Sequence, residues 1–153
     1  MHIKMITLLT TITLLVGCAG TPPKLGVQKG QLTACPATPN CVSSQANDPA
    51  QQVVPLLITG TPAQVQTQLL RVLGEIDRSK VVRVQDDYIA AEMTSQILRF
   101  VDDMEFYFPA TVATDDGTVV QVRSASRLGH SDLGVNRERI ELIRERLKAI
   151  PAQ

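Results

Sequence analysis

Alternating apolar and polar positions in the middle of the chain predict antiparallel β-strands. Ile89, Ala91 and Met93 share one face of a strand over residues 88–94, and a polar turn joins it to a strand over 81–84. Side chains two residues apart lie on the same face of a strand, so this apolar face is expected to be buried. The two strands are predicted to form a hairpin.

The same two-residue period continues in the next predicted strand, where Met104, Phe106 and Phe108 share a face. The side chains predicted to point away from that face are those of Asp103, Glu105 and Tyr107. Asp115-Asp116-Gly117 has the composition of a hairpin turn, and it leads into a returning strand over 119–126.

Two segments have apolar residues at the spacing of an α-helix. A strand over 53–59, placed at a sheet edge by Pro55, leads into Thr61, Pro62 and Gln64, which have the pattern of a capping box. The apolar stripe of this helix consists of Val65, Leu69, Val72, Leu73 and Ile76. A second stripe, ended by Pro151, consists of Ile140, Ile143, Leu147 and Ile150.

These elements predict an α+β fold. We expect an antiparallel sheet of about five strands with two helices packed on one face, in the order strand, helix, four strands, helix. A single α+β domain is predicted over residues 33–150.

The first 17 residues have the layout of a secretory signal peptide. Lys4 precedes an apolar stretch over 5–16, which is shorter than the about 20 residues that span a membrane. Leu15-Val16-Gly17-Cys18 resembles the lipobox of bacterial lipoproteins. That resemblance implies cleavage before Cys18, a diacylglyceryl group on its sulfur and acylation of its amino group. Two or more acyl chains anchor a protein firmly.

The residue after the cysteine bears on the location. Ala19 stands where a lipoprotein retained in the inner membrane would carry Asp, so the resemblance implies a protein anchored to the outer membrane with its domain facing the periplasm. Residues 18–32 are rich in Gly and Pro and are expected to form a lipidated tether. An ordinary signal peptide with a chance cysteine is the alternative.

Charge and composition narrow the possible partners. Fifteen basic and fifteen acidic side chains balance in the whole chain, and loss of Lys4 with the signal leaves one more acid than base. Nucleic acid binding normally requires a basic face, so no nucleic acid partner is expected. The chain has no Trp, which makes a platform for stacking sugars unexpected.

Cys35 and Cys41 lie in a turn-rich segment with five residues between them. In an oxidising compartment this pair is predicted to form a disulfide. A metal site would need two more ligands, and His130 is the single histidine after the signal. A redox pair usually has two intervening residues. These two alternatives stay open beside the disulfide, and we expect no cofactor and no metal.

Three polar blocks carry a family resemblance. They are residues 35–44 (CPATPNCVSS), 99–106 (RFVDDMEF) and 122–137 (VRSASRLGHSDLGVNR). In this order the blocks resemble the signature of domain-of-unknown-function family 1499, over about residues 32–147. The family has no established activity, so the resemblance implies the extent of the domain and no particular chemistry.

The blocks also supply a candidate polar cluster. Its members are Arg99, Asp102, Asp103, Glu105, Arg123, Ser124, Ser126, Arg127, Ser131, Asp132, Asn136 and Arg137. Opposite charges on paired strands favour a structural network, in which Ser131 or Asp132 caps the last helix. The same arginines and amides also suit a pocket for a carboxylate or phosphate group.

Two functions are compatible with these residues. We expect an envelope lipoprotein with a non-catalytic accessory or binding domain, whose partners are the membrane through the anchor and an envelope protein or small amphipathic ligand. The alternative is a hydrolase that acts on an envelope component through Asp102, Asp103 and Glu105 as general acid and base. No nucleophile-elbow pattern surrounds Ser124 or Ser126, so no catalytic residue is assigned.

Overall fold

Two helices and nine strands make up the part of the chain that the computed structural model describes, which is residues 19–110, 113–114 and 117–151. They are β1 (Val27–Gln28), β2 (Gln31–Leu32), β3 (Cys41–Ser43), β4 (Leu56–Ile58), α1 (Pro62–Gly74), β5 (Ser79–Gln85), β6 (Tyr88–Thr94), β7 (Val101–Tyr107), β8 (Ala113–Thr114), β9 (Gly117–Ser126) and α2 (Val135–Lys148). The predicted signal peptide, Cys18, and Asp115 and Asp116 of the predicted turn lie outside the described residues.

Seven strands form one antiparallel sheet in which β9 is the central element. The main path is β3-β9-β7-β6-β5, and β4 and β8 also pair with β9. Cys41 is opposite Ala125, and Glu105 is opposite Arg123. The three polar blocks therefore contribute three adjacent strands.

Both helices cover one face of this sheet, as predicted. The capping box of α1 is formed, since Thr61 accepts from the backbone of Gln64 while the Gln64 side chain accepts from the backbone of Thr61. The buried side chains on this face include Val65, Leu69, Val72, Leu73, Ile89, Ala91, Met93, Met104, Phe106, Phe108, Ile140, Ile143 and Leu147. Each large apolar side chain buried here stabilises the fold by about 1.5–3 kcal/mol. No helix in the described part of the chain is long and apolar enough to cross a membrane.

The α+β class is confirmed, but the number and order of strands differ from the prediction. The predicted strands correspond to β4, β5, β6, β7 and β9. The additional strands β3 and β8 have three and two residues, which is too short for a visible two-residue period. β4 begins at Leu56, directly after Pro55, because proline cannot donate to a ladder.

The second face of the sheet is covered by residues 26–32, which we call the strap. Within it β1 and β2 form a hairpin whose turn residues Lys29 and Gly30 have φ of 51° and 76°, as a type I′ turn requires. Leu32 packs with Tyr88 and Ala90. In this region the structure differs from the predicted tether. The hairpin could not be predicted, because two-residue strands leave no periodic signal in a segment rich in glycine.

The predicted disulfide is confirmed. Cys35 and Cys41 are bonded, with their Cα atoms 5.6 Å apart, a usual separation for a disulfide. The bond joins the turn-rich segment to the first residue of β3.

Candidate functional site

The sheet divides the predicted polar cluster into two groups. Side chains alternate along a strand, so those of Asp102 and Ser124 point towards α2, where their partners lie. Those of Asp103, Glu105 and Arg123 lie on the face that carries the strap. The members of the predicted cluster therefore lie on opposite faces of the sheet. We call the two sets the helix-side group and the strap-side group.

Glu105 is at the centre of the strap-side group, and its side chain has no exposed surface. The Tyr88 hydroxyl and the Gly26 backbone N–H both donate to Oε1, at 2.8 and 2.9 Å. Arg123 donates from Nη1 to Oε2 at 3.2 Å. Burial raises the pKa of Glu105, against the opposing effects of the Tyr88 hydrogen bond and the Arg123 charge. Burial and the nearby Glu105 carboxylate raise the pKa of Tyr88.

Arg127 forms the second ion pair of the strap-side group. Its Nε and Nη2 donate to the two oxygens of Asp103 at 2.8 and 2.6 Å, and Nη2 also lies 2.5 Å from Oε1 of Glu92. The hydrogen bonds that Arg127 donates to Asp103 raise the pKa of Arg127 further above its ordinary value. One buried guanidinium thus connects β6, β7 and the end of β9.

Asn136 is the centre of the helix-side group and is completely buried. Its Nδ2 donates to the Asn40 carbonyl at 3.1 Å and to Ser126 Oγ at 3.0 Å. Its Oδ1 accepts the Ser124 hydroxyl. Asn40 in turn donates from Nδ2 to the Gly129 carbonyl at 2.7 Å. The Asn136 side chain therefore connects the first and third polar blocks.

Asp102 belongs to the same group. It is 5% exposed and pairs with Arg139 of α2 at 2.8 Å. This contact ties the second polar block to the last helix.

The remaining predicted residues lie in loops or at the start of α2. Asp132 accepts the backbone N–H of Asn136 at 2.8 Å and that of Gly134 at 3.1 Å. Burial would raise the pKa of Asp132, but these hydrogen bonds outweigh it and lower the pKa. Asp132 therefore caps α2, which the sequence analysis left open between Ser131 and Asp132.

Ser131, Arg137 and Arg99 belong to neither group. Ser131 accepts the Leu133 backbone N–H at 3.3 Å. The guanidinium of Arg137 donates to the carbonyls of Gln52 and Ala50 at 2.7 and 2.8 Å. Arg99 is exposed in the loop between β6 and β7, with φ of 57°.

Four residues that complete the two groups were not predicted. They are Asn40, Tyr88, Glu92 and Arg139. Glu92 carried a usable signal, because it lies directly opposite Asp103 on the neighbouring strand and two facing acids require a cation between them. Arg139 lies outside the apolar stripe predicted for the last helix, but its side chain is only 13% exposed.

The structure gives no support to an anion pocket at Arg123 or Arg127. The layer between helices and sheet is filled by side chains such as Leu69, Phe106 and Ile143, all 0% exposed. A groove of about 300 Å³ lies between β4 and the end of α2, and another of about 420 Å³ lies beside the disulfide loop. Arg123 and Arg127 line neither groove. Within the described ranges, no group of three or more His, Cys, Asp or Glu side chains is placed to hold a metal ion.

Comparison with known proteins identifies a family over most of the chain. A family model described as "Protein of unknown function (DUF1499)" matches residues 31–147. No curated protein and no solved structure matches the chain.

Proposed function

Because the chain belongs to the DUF1499 family of proteins of unknown function, its role must be inferred from its own residues, and we propose that it is an envelope lipoprotein with a non-catalytic accessory domain. Lipid on Cys18 holds it to the outer membrane. The domain faces the periplasm, where it binds an envelope protein or a small amphipathic ligand.

One observation carries the non-catalytic part of this proposal: an arginine engages every carboxylate of the second polar block. Arg139 binds Asp102, Arg127 binds Asp103 and Arg123 binds Glu105. A general acid or base must come within hydrogen-bond reach of a substrate proton, whereas these carboxylates are 5%, 4% and 0% exposed. The contacts of these three carboxylates connect strands to one another and to a helix, as expected of a structural network.

The anchor is tested with Cys18→Ser in a bacterial host fed labelled palmitate. We expect the unmodified chain to take up label and to fractionate with the outer membrane, and Cys18→Ser to lose both properties. The Cys35→Ser/Cys41→Ser double variant is the matched control, because it removes the other two cysteines and should keep the label. Label in the Cys18→Ser variant, or unmodified mature chain free in the periplasm, contradicts the anchor.

The hydrolase alternative is tested on the same carboxylates. We expect purified protein to release no product from peptidoglycan or phospholipid, and Asp103→Asn to lower the melting temperature. Asp86→Asn is the control, since Asp86 is an exposed residue in the β5–β6 turn. Product release by the unmodified protein, together with a stable but inactive Asp103→Asn variant, would favour the hydrolase.

A further inference from the structure

Six of the eleven large hydrophobic side chains that are exposed in the described part of the chain lie at one end of the sheet. They are Ile97, Leu98, Phe100, Leu128, Leu133 and Val135, and we call this surface the apolar end. The first three lie in the loop between β6 and β7, and the others lie between β9 and the start of α2. The two loops are neighbours, because the Arg127 backbone donates to the Val101 carbonyl at 3.1 Å.

Three of these side chains are largely exposed. Ile97 is 87% exposed, Leu98 is 60% exposed and Leu133 is 91% exposed. Leu133 and Arg99 also have φ of 56° and 57°, a left-handed conformation that non-glycine residues rarely adopt. This backbone conformation does not bury the Leu133 side chain. A patch of this kind marks a contact surface.

The chain enters the domain at the same end. Gly20 lies so close to the loop after β9 that a Cβ on it would be 2.9 Å from Arg127 Cβ and 3.1 Å from Leu128 Cγ. Cys18 is two residues before Gly20, so their Cα atoms are at most about 7.6 Å apart. The described chain therefore begins beside the apolar end, one residue after the cysteine that carries the proposed lipid.

We propose that the apolar end is a membrane-contact surface. Its two loops insert into the interfacial layer of the same bilayer that holds the Cys18 lipid. This inference rests on the proposed function, because it requires the anchor. Aliphatic side chains partition into the acyl boundary next to a lipid anchor. The exposed Arg99 lies between Leu98 and Phe100, where a long basic side chain reaches headgroup phosphates. The β5–β6 turn, at the other end of the sheet, then points away from the membrane.

The absence of tryptophan from the chain allows a direct test with single Trp probes. Ile97→Trp and Leu133→Trp place a probe in each loop, and Val84→Trp is the matched control. Val84 is 50% exposed and lies near the β5–β6 turn. It is about 20 Å from the two loops of the apolar end, measured along β6. The full-length lipidated variants are reconstituted in vesicles of phosphatidylethanolamine and phosphatidylglycerol, with and without brominated phosphatidylcholine.

We expect brominated lipid to quench both loop probes at least several-fold more than the Val84→Trp probe. Equal weak quenching of all three probes, in protein that floats with the vesicles, overturns the contact surface while the anchor stands. Blue-shifted emission of the loop probes that grows with protein density, without quenching by bromine, indicates contact between copies and also overturns it. Protein that carries no acyl chain and does not float contradicts the anchor itself.

Discussion

At the scale of single residues, the pair of Glu105 and Arg123 explains how charge is kept inside this domain. Removing two charges from water is costly, and their attraction compensates only when further hydrogen bonds satisfy the carboxylate. Tyr88 and Gly26 supply those bonds. The cross-strand attraction of acids on β7 for arginines on β9 was predictable from the sequence, whereas the hydroxyl and the backbone donor come from distant positions that no local pattern connects.

Removal of one partner should cost much more than removal of both. Arg123→Ala leaves Glu105 buried without its cation, so we expect the free energy of unfolding at pH 7 to fall by about 3–5 kcal/mol. Glu105→Gln/Arg123→Met removes both charges and keeps an acceptor for Tyr88, so its loss should be clearly smaller. Urea denaturation measures both changes.

Arg71→Ala is the control for this comparison, because it breaks an exposed pair with Glu75 that should contribute less than about 1 kcal/mol. A double variant that loses as much stability as Arg123→Ala would contradict the interpretation.

The raised pKa of Glu105 predicts a particular pH dependence. The folded state binds this proton more tightly than the unfolded state, so the contribution to stability is complete below the ordinary pKa of 4.5 and is lost as pH rises through the folded pKa. Tyr88→Phe removes a hydrogen bond that lowers this pKa, so the loss should move to higher pH. Urea midpoints across the acidic to neutral range measure it.

Tyr107→Phe is the matched control, because Tyr107 packs against the same apolar cluster beneath the strap and is not among the hydrogen-bond donors to Glu105, which are Tyr88, Gly26 and Arg123. Its profile should follow that of the unmodified protein. Superimposable profiles for Tyr88→Phe and the unmodified protein would contradict the predicted role of the hydroxyl.

At the scale of elements, the two helices begin in different ways, and this decided what could be predicted. Thr61, Pro62 and Gln64 form a cap within four successive positions, so the sequence alone located the start of α1. The N-cap of α2 is Gly134, which has φ of 90° and no side chain to accept hydrogen bonds. Asp132 supplies the acceptor from two residues earlier, and only the loop conformation distinguishes it from Ser131.

Asp132→Ala should lower the free energy of unfolding by about 1 kcal/mol at pH 7. The lowered pKa of Asp132 means that its contribution is present above the ordinary pKa and is lost as pH falls through the folded pKa. The difference from the unmodified protein should therefore shrink in acid. Thermal unfolding at neutral and acidic pH measures it, with Ser131→Ala as a control of smaller effect. A constant difference at both pH values would contradict this account.

At the scale of the whole molecule, the sequence correctly predicts one face of the sheet and not the other. Met104, Phe106 and Phe108 predicted the face that the helices cover. The opposite side chains of Asp103, Glu105 and Tyr107 were correctly separated from it, but charged residues on a strand normally indicate solvent. Only the folded strap shows that this second face is also covered.

The strap should contribute measurably to stability. Leu32 is 6% exposed and packs with Tyr88 and Ala90, so Leu32→Ala should lower the free energy of unfolding by about 2 kcal/mol, the lower end for a buried leucine. Leu57→Ala is the control, since Leu57 is 54% exposed and its loss should stay within about 0.5 kcal/mol. Urea denaturation compares them, and equal effects would show that the strap is only loosely attached.

If Cys18 carries the lipid anchor that we propose, the close approach of Gly20 to Leu128 limits how far the domain can lie from the membrane. With the anchor that we propose, two peptide units are the whole spacer between the acylated residue and the folded domain. A domain of this size is about 35 Å across, so nothing beyond that height above the lipid headgroups comes within its range. Whatever the domain recognises has to travel to the bilayer surface or reside there.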